Sequence, residues 1–224
     1  MTRVGRTFTL LGFVLFMGQG CDLAALVPWF EPDKVVFDPY FLGEWVVDDE
    51  SWSMKLTQEK VDLRGTQVDG YGVEFINDKS APKNLVAVLG KFGGELYGMA
   101  YLRSVPKGGG DWLTRRAFLL VWVRKTDDGF GYAFLIRDQV LEAIKAGKLN
   151  LKLLCQKSWS LSPMSVDEVE KDCGGGQLVE VYGRTAELRA VIEKSLKEAD
   201  VFSDFMIHKR KNQSNSSKTG GASR

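Results

Sequence analysis

The sequence has little of the chemistry that most enzymes need, and its single histidine is the clearest shortage. A serine or cysteine nucleophile usually requires an imidazole to accept its proton. His208 stands alone near the end of the chain, which argues against nucleophilic hydrolysis and against histidine-rich metal sites. The glycine-rich stretches 107–111 and 173–177 lack the lysine and hydroxyl residue of a phosphate-binding loop. We therefore expect a protein that is not an enzyme and has no cofactor and no metal.

A strong net charge is also missing, because the chain carries only +1 in total. Seven cations lie at the two ends, namely Arg3, Arg6, Lys209, Arg210, Lys211, Lys218 and Arg224. Without these seven, 23 of the 30 cations and all 29 carboxylates remain, so the rest of the chain has a formal charge of about −6. A negatively charged body indicates that nucleic acid is not a partner.

Long hydrophobic runs are absent as well, and the most apolar N-terminal stretch, residues 8–17, has only ten residues. A membrane-spanning helix needs about twenty. The stretch follows Arg3 and Arg6 and precedes the small or flexible residues 18–20, which is the arrangement of an export signal. Residues 1–20 are therefore predicted to be a signal peptide.

The segment from Met17 to Cys21 resembles the lipobox of bacterial lipoproteins. In that family the cysteine thiol is acylated and becomes the mature N-terminus, so the resemblance implies a lipid anchor such as palmitate at Cys21 and a body that faces the periplasm. An ordinary cleaved signal with a spare cysteine and an uncleaved anchor remain alternatives. Asp22 resembles an inner-membrane retention signal, but the choice between the inner and outer membrane stays open.

The other two cysteines, Cys155 and Cys173, are eighteen positions apart. An exported chain meets an oxidising compartment, so the pair is expected to form a disulfide. A metal site is the alternative, although two thiolates would need further cysteine or histidine ligands.

Residues 21–33 contain Pro28 and Pro32 and are predicted to be an irregular tether. Short apolar or alternating segments separated by turn-forming residues then predict an antiparallel meander. The predicted strands fall within 34–39, 41–49, 52–65, 71–78, 84–92, 95–104, 117–125 and 130–138, with further strands within 149–156, 176–183 and 205–210. Spacing and capping residues predict two short amphipathic helices, one from Asp138 to Gly147 and one beginning near Thr185. The fold class is therefore mainly β with minor α.

Residues 209–224 are almost without apolar side chains and are predicted to be a disordered basic tail. The folded domain is accordingly expected to span residues 34–208.

Gly43 and Trp45 resemble the Gly-x-Trp of the first strand in lipocalins and their calycin relatives, where the tryptophan closes one end of an up-and-down β-barrel. The chain also resembles uncharacterised bacterial lipoproteins that have a lipocalin-like body and a late helix, which here corresponds to Thr185–Leu188. The resemblance implies a lipocalin-like barrel. The earlier of the two predicted helices departs from that pattern and leaves closure by eight strands open.

An aromatic-lined barrel mouth would form an apolar pocket. Its candidate lining residues are Phe75, Tyr97, Tyr101, Trp122, Tyr132 and Phe134, although strand alternation must turn about half of them outward. The leading hypothesis is a non-enzymatic membrane-anchored lipoprotein that binds a small apolar ligand or acts as a scaffold. The alternative hypothesis is a protein-interaction subunit of a cell-envelope or secretion assembly.

Overall fold

The computed structural model describes residues 23–47, 53–76, 85–103, 117–155, 163–173, 179–196 and 198–211. The predicted signal peptide, the lipidation site Cys21 and most of the predicted basic tail lie outside the described residues. Within them the chain forms twelve strands and three α-helices. The strands are β1 (Leu23–Ala25), β2 (Val35–Val36), β3 (Gly43–Val47), β4 (Ser53–Leu63), β5 (Thr66–Ile76), β6 (Leu85–Phe92), β7 (Glu95–Leu102), β8 (Leu119–Lys125), β9 (Gly129–Phe134), β10 (Lys152–Cys155), β11 (Val179–Tyr182) and β12 (Met206–Arg210).

Eight of these strands close into an antiparallel barrel. Strands β3 to β8 each pair with the next strand along the chain, and β12 pairs with both β9 and β3. His208 lies opposite Phe130 on one side and Val47 on the other, so this strand completes the ring. The predicted mainly β, up-and-down barrel is confirmed, and the early helix does not interrupt its closure.

The long β4–β5 hairpin leaves the barrel wall before its tip. Strand β5 pairs with β6 only over Tyr71–Val73, whereas its remaining residues continue to pair with β4. Strand β2 takes over the vacated edge of β6, where Val35 and Val36 lie opposite Gly90 and Leu89. A side chain at Gly70 would come within 2.7 Å of the Ala87 carbonyl oxygen, so the bend of the hairpin requires glycine there.

A second layer covers one outer face of the barrel. It consists of a small sheet in the order β1-β11-β10, in which β1 is parallel to β11, together with the three helices. The helices are α1 (Arg137–Lys145), α2 (Val166–Asp172) and α3 (Thr185–Lys194). Buried side chains from both layers form one continuous hydrophobic core, and outward-facing barrel residues such as Val88, Met99 and Leu120 belong to it.

Residues 23–33 do not form the irregular tether that the prolines suggested. Leu23–Ala25 is a strand of the second layer, and Trp29 and Phe30 are both 0% exposed. The Trp29 Nε1 group donates to the Phe118 carbonyl oxygen at 2.9 Å. The prolines kink this segment without detaching it, because its apolar side chains are buried in the core.

The helices also differ from the prediction in number and in their first residues. Helix α2 falls in a stretch for which no helix was predicted, and Ser165 and Glu168 form a capping box at its start. Helix α1 begins one residue before Asp138. The first residue of α3 is Thr185 itself, and the Glu187 carboxylate accepts from the Arg184 amide before it at 3.0 Å. None of the helices in the described residues is long and apolar enough to cross a membrane.

A disulfide within the second layer and the length of the last strand complete the described fold. Cys155 at the end of β10 and Cys173 after α2 are joined by a disulfide, with their Cα atoms 5.9 Å apart. Lys209 and Arg210, which we assigned to the disordered tail, belong to β12. The barrel therefore extends two residues beyond the predicted domain boundary.

Candidate functional site

Strand alternation divides the barrel residues into an interior set and an outer set. Trp45, Leu56, Tyr71, Leu89 and Phe130 come from five different strands and pack together in one buried cluster, so they face one another across the barrel. Residues directly opposite each other on paired strands share a face. Starting from this cluster, the register of the paired strands therefore assigns the other interior positions of the barrel.

One end of the barrel is filled, and Trp45 is its plug. The indole is 1% exposed, its Nε1 group donates to the Phe41 carbonyl oxygen at 2.7 Å, and its ring meets Phe130 edge-on at 4.9 Å. Arg210 on the last strand lies over the Trp45 ring at 4.6 Å and donates to the Tyr40 carbonyl oxygen. Gly43 has a φ of +124°, a conformation that favours glycine.

Polar contacts tie the segment before β3 across this same end. The Tyr71 hydroxyl accepts from the Asp38 amide and donates to the Asp38 carbonyl, both at 2.9 Å, and burial raises its pKa to about 12. The Lys125 ammonium pairs with the Asp38 carboxylate at 2.5 Å. Although burial acts the other way, hydrogen bonds from Lys125 and from the Tyr40 amide leave the Asp38 pKa below its usual value. We call this end, with Trp45 at its centre, the closed end.

Towards the opposite end, several interior apolar side chains of the described residues are less completely buried. Val73, Phe75, Val121 and Tyr132 pack against the interior cluster, yet each is only half-buried. The other half-buried interior positions towards this end are Leu85, Ala87, Ala100, Leu119, Phe134 and Met206. We call this end the open end and the space between these side chains the cup. The connections 48–52, 77–84 and 104–116 that join strands there lie outside the described residues.

The structure separates the six predicted lining residues into two groups of three. Phe75, Tyr132 and Phe134 face the cup. Tyr97, Tyr101 and Trp122 do not line it, because they occupy alternate positions that point outward. Their rings pack against other side chains of the outer face, namely Phe92, Phe118, Phe202 and Phe205.

Sequence reasoning missed the aliphatic wall of the cup. Ala87 and Ala100 lie opposite each other on β6 and β7, and Leu119 lies opposite Ala100 on β8. Small and branched side chains stand at these interior positions, whereas aromatic residues pack together at the closed end. The alternation of Leu85, Ala87 and Leu89 was the available signal, but the strand register was needed to place that face inside.

His208 lies inside the barrel and not at the edge of a flexible tail. It is 0% exposed, and its imidazole stacks on Phe130 at 5.3 Å and on Tyr132 at 5.0 Å. Burial lowers its pKa from 6.5 to about 4, because the charged form loses its hydration. At neutral pH the imidazole is therefore uncharged and acts as part of the interior aromatic packing.

The lowered pKa of His208 predicts a loss of stability in mild acid. The unfolded chain binds a proton below about pH 6.5, whereas the folded protein does so only near pH 4, so protons favour unfolding between these values. We expect the free energy of unfolding to fall by about 2 kcal/mol between pH 7 and pH 5. Urea unfolding at both pH values measures this, and a His208→Gln variant is the control that should lose most of the difference. An equal pH dependence in both proteins would contradict the assignment.

A separate hollow of about 400 Å³ lies outside the closed end, where Tyr40, Asp127, Asp128, Lys209 and Arg210 line it. Its lining contains both carboxylates and cations, so its electrostatic potential does not favour ions of one charge. Among the described residues no group of three or more potential ligand side chains is arranged to hold a metal ion.

The site is thus a barrel interior with an aromatic floor, an aliphatic wall and one end whose described side chains are only half-buried. This architecture is consistent with a lipocalin-like fold. Comparison with known proteins adds no family to it: no family model, no curated protein and no solved structure matches the chain significantly.

Proposed function

We propose that the protein is a non-enzymatic, membrane-anchored lipoprotein of the cell envelope whose barrel binds a small, uncharged, apolar ligand. The observation that carries this proposal is the contrast between the two ends of one interior. The closed end is packed with buried aromatic rings, whereas most described apolar side chains of the same interior face are only half-buried towards the open end.

Apolar side chains that are only half-buried inside a barrel favour an apolar occupant. Each Å² of apolar surface removed from water contributes about 25 cal/mol, and a concave site lets a ligand cover many side chains at once. A barrel of eight strands has an interior just wide enough to hold one small ligand when its own side chains do not fill it. The cup therefore supports ligand binding better than it supports a purely structural role.

The polarity of the cup wall favours an uncharged ligand. In the described part of the open half, every interior-facing side chain is uncharged, and Tyr132 contributes the one hydroxyl, which contacts Met206 Sδ at 3.4 Å. The charged side chains Lys125 and Arg210 are engaged at the closed end. A ligand carboxylate in the cup would lose hydration without gaining a cationic partner there.

The anchor is proposed from the lipobox resemblance at Cys21, and the disulfide gives independent support for export. Bonds such as Cys155–Cys173 persist in oxidising compartments and are rare in the cytosol. Mass spectrometry of the mature N-terminus tests the anchor. A diacylated Cys21 is expected, and an unmodified cysteine on a cleaved chain would contradict it.

Ligand binding is tested by titrating the purified mature protein with a neutral long-chain alcohol and with the fatty acid of equal length at pH 7. We expect saturable displacement of Nile red by both and a dissociation constant for the alcohol at least about tenfold lower, because only the acid carries a charge into the cup. Equal affinities would contradict the uncharged ligand class. No binding, together with recovery of one stoichiometric partner from detergent extracts, would favour the role as a subunit of an envelope assembly.

A further inference from the structure

The methionines of the described residues differ in how accessible they are. The chain has six methionines, and four of them lie in the part that the structure describes. Met54 and Met99 are 5% and 0% exposed, so both are packed inside the protein. Met164 is half-buried in the second layer, where it bridges to Leu153. Met206 is half-buried as well, and among the described methionines it is the one that combines this exposure with a place in the barrel interior.

The register of β12 places the Met206 side chain in the wall of the cup. His208, two residues further on, stacks on Phe130 and Tyr132 inside the barrel, so Met206 shares its interior face. Met206 lies opposite Tyr132 on β9, and the Tyr132 hydroxyl donates to Met206 Sδ at 3.4 Å. Because the Met206 side chain is only half-buried, a small solute in the cup can reach it.

A thioether sulfur in such a position reacts with peroxides. The sulfur lone pair attacks one peroxide oxygen, the O–O bond breaks, and the sulfur keeps that oxygen as a sulfoxide. When the oxidant is hydrogen peroxide, the other oxygen leaves as water, so the sulfur is oxidised, the peroxide is reduced and no other reactant is consumed. The product side chain is polar and chiral, whereas methionine is apolar.

The neighbours of Met206 allow this change without loss of the fold. The Tyr132 hydroxyl, which already donates to the sulfur, can donate to the sulfoxide oxygen, so the new polar group has a partner. Met99 differs, because its Sδ accepts from the Trp29 amide at 3.3 Å in the core, where an added oxygen would overpack the neighbouring side chains. Oxidation at Met206 therefore makes the cup wall more polar and leaves the barrel intact.

We propose that Met206 is an oxidation site, and that its conversion to the sulfoxide by a peroxide weakens the binding of an apolar ligand in the cup. This inference rests on the proposed function, because it requires a ligand in the cup. A sulfoxide in the wall must give up hydration when an apolar ligand covers it, which opposes binding. Reduction of the sulfoxide would restore the thioether and the affinity.

Purified mature protein is treated with hydrogen peroxide, and catalase then removes the peroxide. Peptide mass spectrometry measures sulfoxide formation, and Nile red titration of the same samples measures binding. We expect Met206 to be oxidised several-fold faster than Met54 and Met99. The affinity for the dye should fall about fivefold or more as the Met206 sulfoxide accumulates.

Two leucine variants identify the residue that is responsible. Met206→Leu keeps an apolar side chain of similar volume, so it should bind the dye before treatment and keep its affinity afterwards. Met164→Leu is the matched control, because it removes the other half-buried methionine of the described residues, which lies outside the cup. Its affinity should fall on treatment as far as that of the unchanged protein.

The possible results distinguish failure of this inference from failure of the proposed function. If the untreated protein does not bind the dye, both are wrong. If it binds the dye, but Met206 resists oxidation or its sulfoxide leaves the affinity unchanged, the inference is wrong and ligand binding stands. An equal loss of affinity in treated Met206→Leu would assign the effect to another residue and overturn the inference.

Discussion

Replacing Trp45 by alanine is expected to lower the free energy of unfolding by about 4 kcal/mol, the largest loss that we predict for a single substitution. The indole is almost fully buried and contacts Phe130. Its Nε1 group donates to the Phe41 carbonyl oxygen, and the Arg210 guanidinium lies over its ring. Alanine would leave a cavity at the closed end and the Phe41 carbonyl without its indole donor. Urea unfolding followed by far-UV circular dichroism measures the loss.

Trp122→Ala is the matched control for this substitution. Trp122 is also a tryptophan in a barrel strand, but it is half-buried, points outward and donates to the Glu95 carboxylate at 3.2 Å. Its removal is expected to cost less than half as much. If the two variants unfold at the same urea concentration, Trp45 is not the plug of the barrel.

Removing the disulfide with the pair Cys155→Ala and Cys173→Ala is expected to cost about 3 kcal/mol, the second-largest effect. The bond closes a loop across eighteen positions, and its loss returns that conformational freedom to the unfolded chain. It also frees α2 from the end of β10. Urea unfolding under non-reducing conditions measures the change.

Cys21→Ala is the control here, because it removes the remaining cysteine and leaves the bond intact. The body of this variant should unfold at the same urea concentration as the unchanged protein. A double variant that is as stable as Cys21→Ala would mean that Cys155 and Cys173 are not bonded in the folded protein.

The barrel could be predicted from the sequence because its strands and turns are specified by residues that lie close together along the chain. Turn residues between short alternating segments placed most barrel strands within a few positions, and the hairpin at Gly93–Gly94 followed from glycines that have positive φ in the structure. Strand β5 begins at Thr66, five residues before the predicted start, because the hairpin turns at Gly65. Gly43 and Trp45 lie at the closed end, where the lipocalin resemblance put them.

The second layer could not be predicted because its strands depend on distant partners. Strand β1 has only three residues, and its pairing with β11 joins positions more than 150 residues apart. The apolar character of Leu23–Phe30 was the signal against a tether, but two prolines outweighed it. The capping box of Ser165 and Glu168, with Val166 and Val169 spaced for one helix face, likewise indicated α2.

The cup itself could be predicted only in part. Alternation shows that Tyr97 and Tyr101 share a face and that Phe75 and Val73 share another, yet it does not show which face is inside. That choice depends on the second layer, which packs on the outer faces of β6 to β8, so these faces are as apolar as the interior.

Nile red binding by Ala100→Phe, compared with Thr57→Phe, tests directly whether the barrel interior is the ligand site. Ala100 faces the cup, whereas Thr57 is exposed on the outer face of β4, so the same added ring fills the interior in one variant only. We predict that Ala100→Phe keeps the circular dichroism spectrum and binds the dye more than about tenfold more weakly, a change of about 1.4 kcal/mol, while Thr57→Phe binds it normally. Unchanged binding by a folded Ala100→Phe variant would show that the barrel interior is not the ligand site.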